Sequence, residues 1–366
     1  MSLSVGIIGL PNVGKSTIFN ALTESSKADC ANYPFCTIEP NNAIVNVPDE
    51  RVDKLSELVT PERKAYTTIE FIDIAGLVKG ASQGEGLGNQ FLAQIREVDA
   101  LMHVVRCFHA PDVAHIKADL NPVEDIDIIN TELVLADLQT IDNRISKLEK
   151  NVPNDKSLKP LLEIAEGFRA YLNDGHPLSA HPQLNDELAR QLRRNTHFLT
   201  DKTMIHCCNI GEEDINKTPD TVKQVQKHAA DNEAATVILC GAVENEIAGL
   251  PPHEQNELLQ MYEMEESGLK RTIRKTYTAL SLKTFFTAQK TEVKAWTFTD
   301  GCTAPQAAGL IHSDFEKGFI RAKVVAYDDF VYYGSQEAAR EAGRLRTEGK
   351  NYLVQDGDVI EFLFNT

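Results

Sequence analysis

No stretch of this sequence approaches the roughly 18 consecutive apolar residues that a bilayer-spanning helix needs, so no segment is expected to cross a membrane. No basic-then-apolar leader opens the chain, which enters a strand-like run over residues 3–9 at once. A cleaved secretion signal is therefore not expected, and a cytoplasmic location is. The seven cysteines (Cys30, Cys36, Cys107, Cys207, Cys208, Cys240 and Cys302) make no Cys-x-x-Cys pair. They read as reduced, packed thiols, against a disulfide framework or a zinc site. Internal repeats and low-complexity tracts are missing, and 42% hydrophobic with 25% charged residues excludes large-scale disorder and a fibrous chain. Positive charge is scarce: 37 Lys and Arg face 54 Asp and Glu, a formal net charge of −17. Such a chain does not bind nucleic acid over its whole surface, and any contact of that kind needs a local patch.

The acid is unevenly spread. Residues 279–366 hold 10 Lys and Arg against 12 Asp and Glu, whereas residues 1–278 hold 27 against 42. The C-terminal piece is thus a nearly neutral, aromatic-rich module, and 366 residues suit two or three domains. Short apolar, β-branched runs at 3–9, 67–73, 101–107, 203–209 and 236–240 alternate with helical stretches, as in a parallel sheet covered on both faces. Between the third and fourth runs, Val134, Leu138, Ile141, Ile145 and Leu148 follow a 4, 3, 4, 3 spacing. Asn151-Val-Pro-Asn-Asp155 breaks the helix, and Leu161, Ala165, Phe168 and Leu172 resume the seam. A helical hairpin whose seam closes internally, in a monomer, is expected. Arg190, Arg193 and Arg194 make a small basic cluster, read first as a solvated helix face. Strands at 283–286, 295–298, 322–326 and 359–364 with one helix at 303–312 predict a small α+β fold at the end. The expected division is 1–127 with 200–278 as an α/β domain, 128–199 as an inserted helical hairpin, and 279–366 as a third domain.

The chemistry sits at the first strand. Gly9-Leu-Pro-Asn-Val-Gly14-Lys15-Ser16 fits the G-x-x-x-x-G-K-[ST] pattern, after an apolar strand and at the start of a helix. Gly9 and Gly14 let the backbone wrap around phosphate, so successive N–H groups, those of Asn12, Val13 and Thr17 among them, can face the anion beside the helix N-terminus. Lys15 supplies a point charge to the outer phosphates, and the Ser16 hydroxyl can ligate Mg²⁺. Asp73-Ile-Ala-Gly76 ends a second apolar strand. Asp73 there can hold the same Mg²⁺ through water, and Gly76 can present its N–H to a γ-phosphate. Thr37, in the loop Tyr33-Pro-Phe-Cys-Thr37-Ile-Glu-Pro40, is a candidate second hydroxyl ligand that would couple loop order to nucleotide state.

GLPNVGKST, YPFCTIEPN and DIAGLVKGASQGEGLGNQFL resemble the Obg-like ATPase (YchF-type) family of P-loop proteins, and the resemblance runs over essentially the whole chain. It implies a GTPase-like doubly wound, mostly parallel α/β sheet, an inserted α-helical coiled-coil hairpin and a C-terminal β-grasp (TGS) domain. AWTFTDGCTAPQAAGLIHSDFEKGFIRAKV and EGKNYLVQDGDVIEFLFN are similar to that last module. It also implies ATP as substrate, Mg²⁺ as cofactor and the ribosome as partner, with ribosomal RNA met through the TGS and helical domains. The cluster Lys317-Gly-Phe-Ile-Arg-Ala-Lys323, an aromatic among cations, is a candidate for stacking bases and touching phosphates, beside the plainer reading of a strand with solvated charges.

Ordinary GTPases of this type carry Asn-Lys-x-Asp after the fifth strand; here the run ends Asn209-Ile210-Gly211-Glu212. A guanine-reading acid accepts from N1–H and the N2 amine, and Glu212 carries one methylene too many. Ile210 stands where a lysine would pack on the base, and the Asn209 carboxamide suits adenine N6 and N7. Cys240-Gly-Ala242 departs from the family's Ser-Ala-Lys. These departures favour ATP, with a GTPase as the alternative. Leu77 follows Gly76 where Ras-like enzymes carry a water-orienting Gln, so turnover is expected to be slow until a partner completes the site, or negligible, which leaves a nucleotide-binding scaffold as a further alternative. By resemblance, His115 is the catalytic group that swings in, alongside Lys15 and Gly76, and Asn12 is a ligand for K⁺.

Overall fold

The apolar runs become the middle of a six-stranded sheet. In the computed structural model, which describes residues 3–30, 41–74, 87–109, 120–184 and 186–365, the chain opens with β1 (Leu3–Ile8), α1 (Lys15–Cys30), β2 (Asn42–Asn46), α2 (Glu50–Val59), β3 (Arg63–Ala65) and β4 (Thr68–Asp73). There follow α3 (Leu87–Glu97), β5 (Ala100–Arg106), α4 (Pro122–Asn151), α5 (Lys159–Asn173), α6 (Glu187–Thr196) and β6 (Thr203–Asn209). Next come α7 (Asp220–Asp231), β7 (Ala235–Leu239), α8 (Gly241–Ala248), α9 (Pro252–Met261), α10 (Gly268–Ala279), β8 (Leu282–Ala288) and β9 (Glu292–Thr299). The chain ends with α11 (Ala304–Ile311), α12 (Ser313–Lys317), β10 (Phe319–Ala326), α13 (Tyr327–Tyr333), α14 (Gln336–Glu341), β11 (Arg346–Glu348) and β12 (Asp358–Phe364). Two compact units emerge: Met1–Val45 with Glu70–Thr272, and Asn46–Ile69 with Ile273–Thr366.

In the first unit the strand order is β2, β4, β1, β5, β6, β7, and β1, β5, β6 and β7 run parallel. Every residue of β5 is buried, as a strand covered on both faces requires. The helices α1 and α8 pack together, as do α4 and α7. Parallel pairing brings the carboxyl ends of the central strands to one edge, where ligands of open α/β sheets are held.

The helical insert closes on itself. Val134, Ile141, Ile145 and Leu148 of α4 share one buried cluster with Leu161, Ala165, Phe168 and Leu172 of α5, completed by Leu178, Ala189, Leu192 and Phe198. Asp155 caps the turn that reverses the chain, accepting from the Ser157 N–H at 3.0 Å. The helix α4 begins at Pro122, earlier than the seam implies, because Asn121 accepts from the Glu124 N–H as its cap and proline at the first position costs no hydrogen bond. Its early residue Ile126 therefore packs with Val105, Cys107 and Val222 and not with the hairpin. Asp137 fastens α4 to the returning segment: its buried carboxylate accepts from the N–H groups of Leu199 (2.9 Å) and Thr200 (2.8 Å) and from the Thr200 hydroxyl (2.7 Å). Burial pushes this carboxyl up to about 6, and the three donors oppose that shift. The basic cluster of α6 is a solvated face with partners: Arg193 is paired with Asp201 at 2.7 Å and Arg190 faces Glu187 at 3.8 Å.

The second unit is a mixed sheet in the order β11, β10, β12, β8, β9, β3. Alternation splits neighbours: Phe285 joins Ala304, Ala307 and Ala308 of α11 in one cluster, while Phe286 joins Val52, Leu55, Phe330 and Ala339 in another. This is the β-grasp arrangement expected, with one addition. Residues 46–69 belong here and not to the α/β part, because β3 pairs in parallel with β9 (Arg63↔Glu292 to Ala65↔Lys294) and α2 buries Val52 and Leu55 against β8 and β9. The division between the units falls at Thr272, six residues earlier than the composition change. The stacking role expected of the Lys317–Lys323 cluster does not hold. Phe319 is 5% exposed in the core beneath α11, and Lys323 is paired with Glu361 at 3.1 Å. Only Lys317, Ile320 and Arg321 face outward. Cys107, Cys207, Cys208 and Cys240 are buried free thiols, as the spacing implied.

Two histidines sit in the first unit's core. His103 on β5 and His206 on β6 are cross-strand neighbours with ring centroids 5.7 Å apart. Among the described residues neither nitrogen of His103, nor Nδ1 of His206, has a hydrogen-bond partner. Burial, and then a neighbouring imidazole (His206 beside His103, His228 beside His206), holds His103 well below its ordinary value and His206 down to about 4. Both are neutral in the fold and cost nothing above pH 6.5. As pH falls below 6.5 the unfolded chain takes up protons that the fold refuses, so stability is lost toward pH 4. His206 alone removes about 2 kcal/mol by pH 5. Chemical denaturation between pH 7.5 and 5 is expected to show this slope, and His206→Leu to flatten it. Asp137→Ala, which leaves three donors without an acceptor, is expected to lower unfolding free energy by about 3 kcal/mol with nucleotide affinity unchanged.

Candidate nucleotide site

The carboxyl end of β1 turns into α1 through residues 9–14, and local geometry there depends on two left-handed backbones: Asn12 at φ 62° and Gly14 at φ 92°. Such a pair turns consecutive N–H groups toward one point, a concavity that suits an anion at the head of a helix. The glycines answer to close neighbours. A Cβ at Gly14 would lie 2.1 Å from Asn209 Nδ2, and one at Gly9 would lie 2.9 Å from the Val104 carbonyl oxygen. Val13 is buried, whereas Asn12 and Ser16 face outward and Lys15 and Thr17 are half-buried.

Asn209, the last residue of β6, holds this loop in place. Its Nδ2 donates to the Val13 carbonyl at 2.9 Å and its Oδ1 accepts from the Gly241 N–H at 2.9 Å. One carboxamide thereby ties the phosphate loop to the start of α8. The expected bidentate grip on adenine N6 and N7 needs both ends of that carboxamide. Oδ1 turns one lone pair to Gly241 in a side chain 5% exposed, and its second lone pair and the second Nδ2 hydrogen are what the carboxamide keeps for a purine's N6 amine and N7. Ile210 is corrected. It is 4% exposed and packs among Val222, Cys240, Val243 and Ile247, so its side chain is core and does not cover a base. Glu212 is exposed, and its Oε1 accepts from the Tyr262 hydroxyl at 2.6 Å.

Lys15 and Asp73 meet: Lys15 Nζ donates to Asp73 Oδ1, although 58 residues separate them. Pairing of β1 beside β4 makes this contact, and it gathers at one point a cation for phosphate and a carboxylate for a metal. With the outward Ser16 hydroxyl nearby in sequence, the donor set is hard oxygen, which suits Mg²⁺. Thr37, Gly76, Leu77 and His115 lie outside the described residues. Two residues at this edge escaped the sequence reading. Arg106, the last residue of β5, is 5% exposed, donates from Nε to the Phe108 carbonyl at 3.3 Å and lies over the Phe108 ring at 4.8 Å. A cation closing an otherwise apolar strand was the available signal. Tyr262 gave none, since 50 residues separate it from Glu212.

A phosphate loop at the carboxyl edge of a parallel sheet, with Lys15 and Asp73 together, defines a P-loop nucleotide-binding protein of the GTPase type. Residues 4–150 match the family model described as 50S ribosome-binding GTPase, and residues 282–365 match the YchF-GTPase C-terminal family, described as a protein of unknown function (DUF933). Over 100% of both chains the sequence is 51% identical to the ribosome-binding ATPase YchF of Pasteurella multocida and 45% identical to that of Bacillus subtilis. The structure is similar to that of the Schizosaccharomyces pombe YchF GTPase, with a TM-score of 0.89 at 35% identity, covering 99% of this chain and 98% of that one. The chain belongs to the YchF family.

The close approach at Gly14 yields a direct test. Gly14→Ala adds both a clash with Asn209 and a strained φ, and is expected to weaken nucleotide binding at least about 100-fold. Asn209→Ala removes the tie without strain and is expected to cost about 10-fold. Equilibrium titration with a fluorescent nucleotide checks both; equal affinities for the three proteins would refute the geometry.

Proposed function

We propose that the protein is an ATP-hydrolysing switch that works with the ribosome. The observation that carries the nucleotide part is the loop held by Asn209 with Lys15 and Asp73 at its mouth. The choice of ATP is supported by Glu212, longer than a guanine-reading acid and already engaged by Tyr262, and by Ile210, which leaves no cation over the base. The names of the relatives divide between ATPase and GTPase, so purine choice is the point to test.

In this reading Lys15 exchanges Asp73 for the β- and γ-phosphate oxygens, and the N–H groups of residues 12–17 hold the chain of phosphates in line. Ser16 and Asp73, joined by Thr37, hold Mg²⁺, which when bound offsets charge on the β- and γ-oxygens. The γ-phosphate is assigned to the Gly76 N–H and the attacking water to His115, since Leu77 has no polar group to orient it. With Leu77 in place of a polar residue after Gly76 the basal rate is slow, and a large partner raises it by completing the site. Asn12, exposed in the loop, is the ligand for K⁺ in this reading. The partner is the ribosome by the relatives' names. Ribosomal RNA is met through the TGS and helical domains in this reading, which the outward cations Lys317, at the end of α12, and Arg321, on β10, support as phosphate contacts. The protein acts as a monomer in the cytoplasm; no helix among the described residues is long and apolar enough to cross a membrane.

ATPase rates with and without 70S ribosomes, in K⁺ and in Na⁺ buffer, test substrate, partner and cation together. Slow basal turnover, at least about 5-fold stimulation by ribosomes, and a lower rate in Na⁺ are expected. No hydrolysis in any arm would leave a nucleotide-binding scaffold, and equal rates in the two salts would remove K⁺.

A further inference from the structure

The Asn209 bond to N7 does not separate the purines, because adenine and guanine both present N7 as an acceptor. Ile210 is buried and turned away. Exclusion of guanine on this side of the pocket therefore rests also on Glu212, the acid at the position where guanine is read through two donors, N1–H and the N2 amine.

That acid is not at liberty to make two bonds to a base. The Tyr262 hydroxyl donates to Glu212 Oε1 at 2.6 Å, which engages one of the two oxygens and draws the carboxylate toward the residue that ends α9. The tyrosine is itself held. Its N–H donates to the Leu258 carbonyl at 3.1 Å, its carbonyl accepts from Asn216 Nδ2 at 2.8 Å, and its ring packs against the cluster of Ile210, Cys240 and Val243. The bond to Glu212, and then partial burial, pushes the phenol up to about 12, so it remains a donor through the neutral range. The extra methylene of Glu212 is what lets the carboxylate reach the phenol.

We propose that Tyr262 is a specificity-determining residue of the base site: by holding the Glu212 carboxylate it withholds the acceptor that guanine requires and leaves adenine unpenalised. The inference rests on the ATP reading above. It assigns Tyr262 no contact with the reacting phosphates. Tyr262 acts through Glu212 and is a positioning residue.

Displacement of a fluorescent ATP analogue by non-hydrolysable ATP and GTP analogues, on the full chain, measures the ratio of the two affinities. Tyr262→Phe keeps the ring and removes only the hydroxyl; it is expected to raise GTP affinity relative to ATP by about 5- to 30-fold, the scale of one hydrogen bond to a charged group. Glu212→Asp, too short to reach Tyr262, is expected to shift the ratio in the same direction. Adding Glu212→Gln to Tyr262→Phe is expected to return the ratio to that of the unaltered protein, because an amide cannot accept from both guanine donors. A purely structural role for Tyr262 would weaken both nucleotides alike and leave the ratio fixed. An unaltered protein that prefers ATP, with the ratio unmoved in Tyr262→Phe, overturns this inference and spares the ATP reading. An unaltered protein that binds GTP more tightly overturns the ATP reading itself.

Discussion

The site depends on one carboxamide. Asn209 donates to the Val13 carbonyl and accepts from the Gly241 N–H, so β6, the phosphate loop and the head of α8 are held by a single planar group. A loop with two left-handed residues is strained when isolated, and it keeps its shape only if its surroundings over-determine it. Asn209 is part of that surrounding. The absence of a Cβ at Gly14 is what lets the carboxamide come so close. Loop, strand end and helix start thus behave as one part, and the N–H groups aimed at phosphate are in position before a nucleotide arrives, which lowers the cost of ordering them on binding.

The rest of the first unit serves this edge from a distance. The fully buried β5 and its parallel neighbours set where Arg106, Asn209 and Leu239 end. Burial of His103 and His206 between those strands gives a compact neutral core at the expense of acid stability. The helical hairpin is closed by its own seam and moored by Asp137 to the segment entering β6. Because β6 delivers Asn209, the mooring and the site lie on one continuous stretch of chain.

Purine choice is where the family's two descriptions, ATPase and GTPase, part. A P-loop holds phosphates of either nucleotide equally well, so the distinction rests on a few polar atoms around the base. In this chain the Asn209 carboxamide keeps a hydrogen for a purine N7, the Ile210 side chain is core, and Glu212 accepts from a phenol. Under the ATP reading the last two depart from guanine recognition, by burial and by prior engagement.

Much of the fold and the phosphate-binding half of the site could be read without coordinates. The loop from Gly9 to Ser16, Asp73 at a strand end, the parallel strands and the two seams of the hairpin depend on spacing within a few residues, and backbone geometry at that range is encoded locally. The base-reading half could not. Asn209 meets Val13 across 196 residues and Glu212 meets Tyr262 across 50, and no periodicity reports such pairings. The same holds for residues 46–69, which leave the first unit to add α2 and β3 to the second, and for Phe319, whose aromatic ring among cations turns out to face inward. Sequence alone determined the phosphate-loop pattern and which elements form. Tertiary packing decided which side chains remain available to a ligand, because a polar group's role is settled by the partner it meets first.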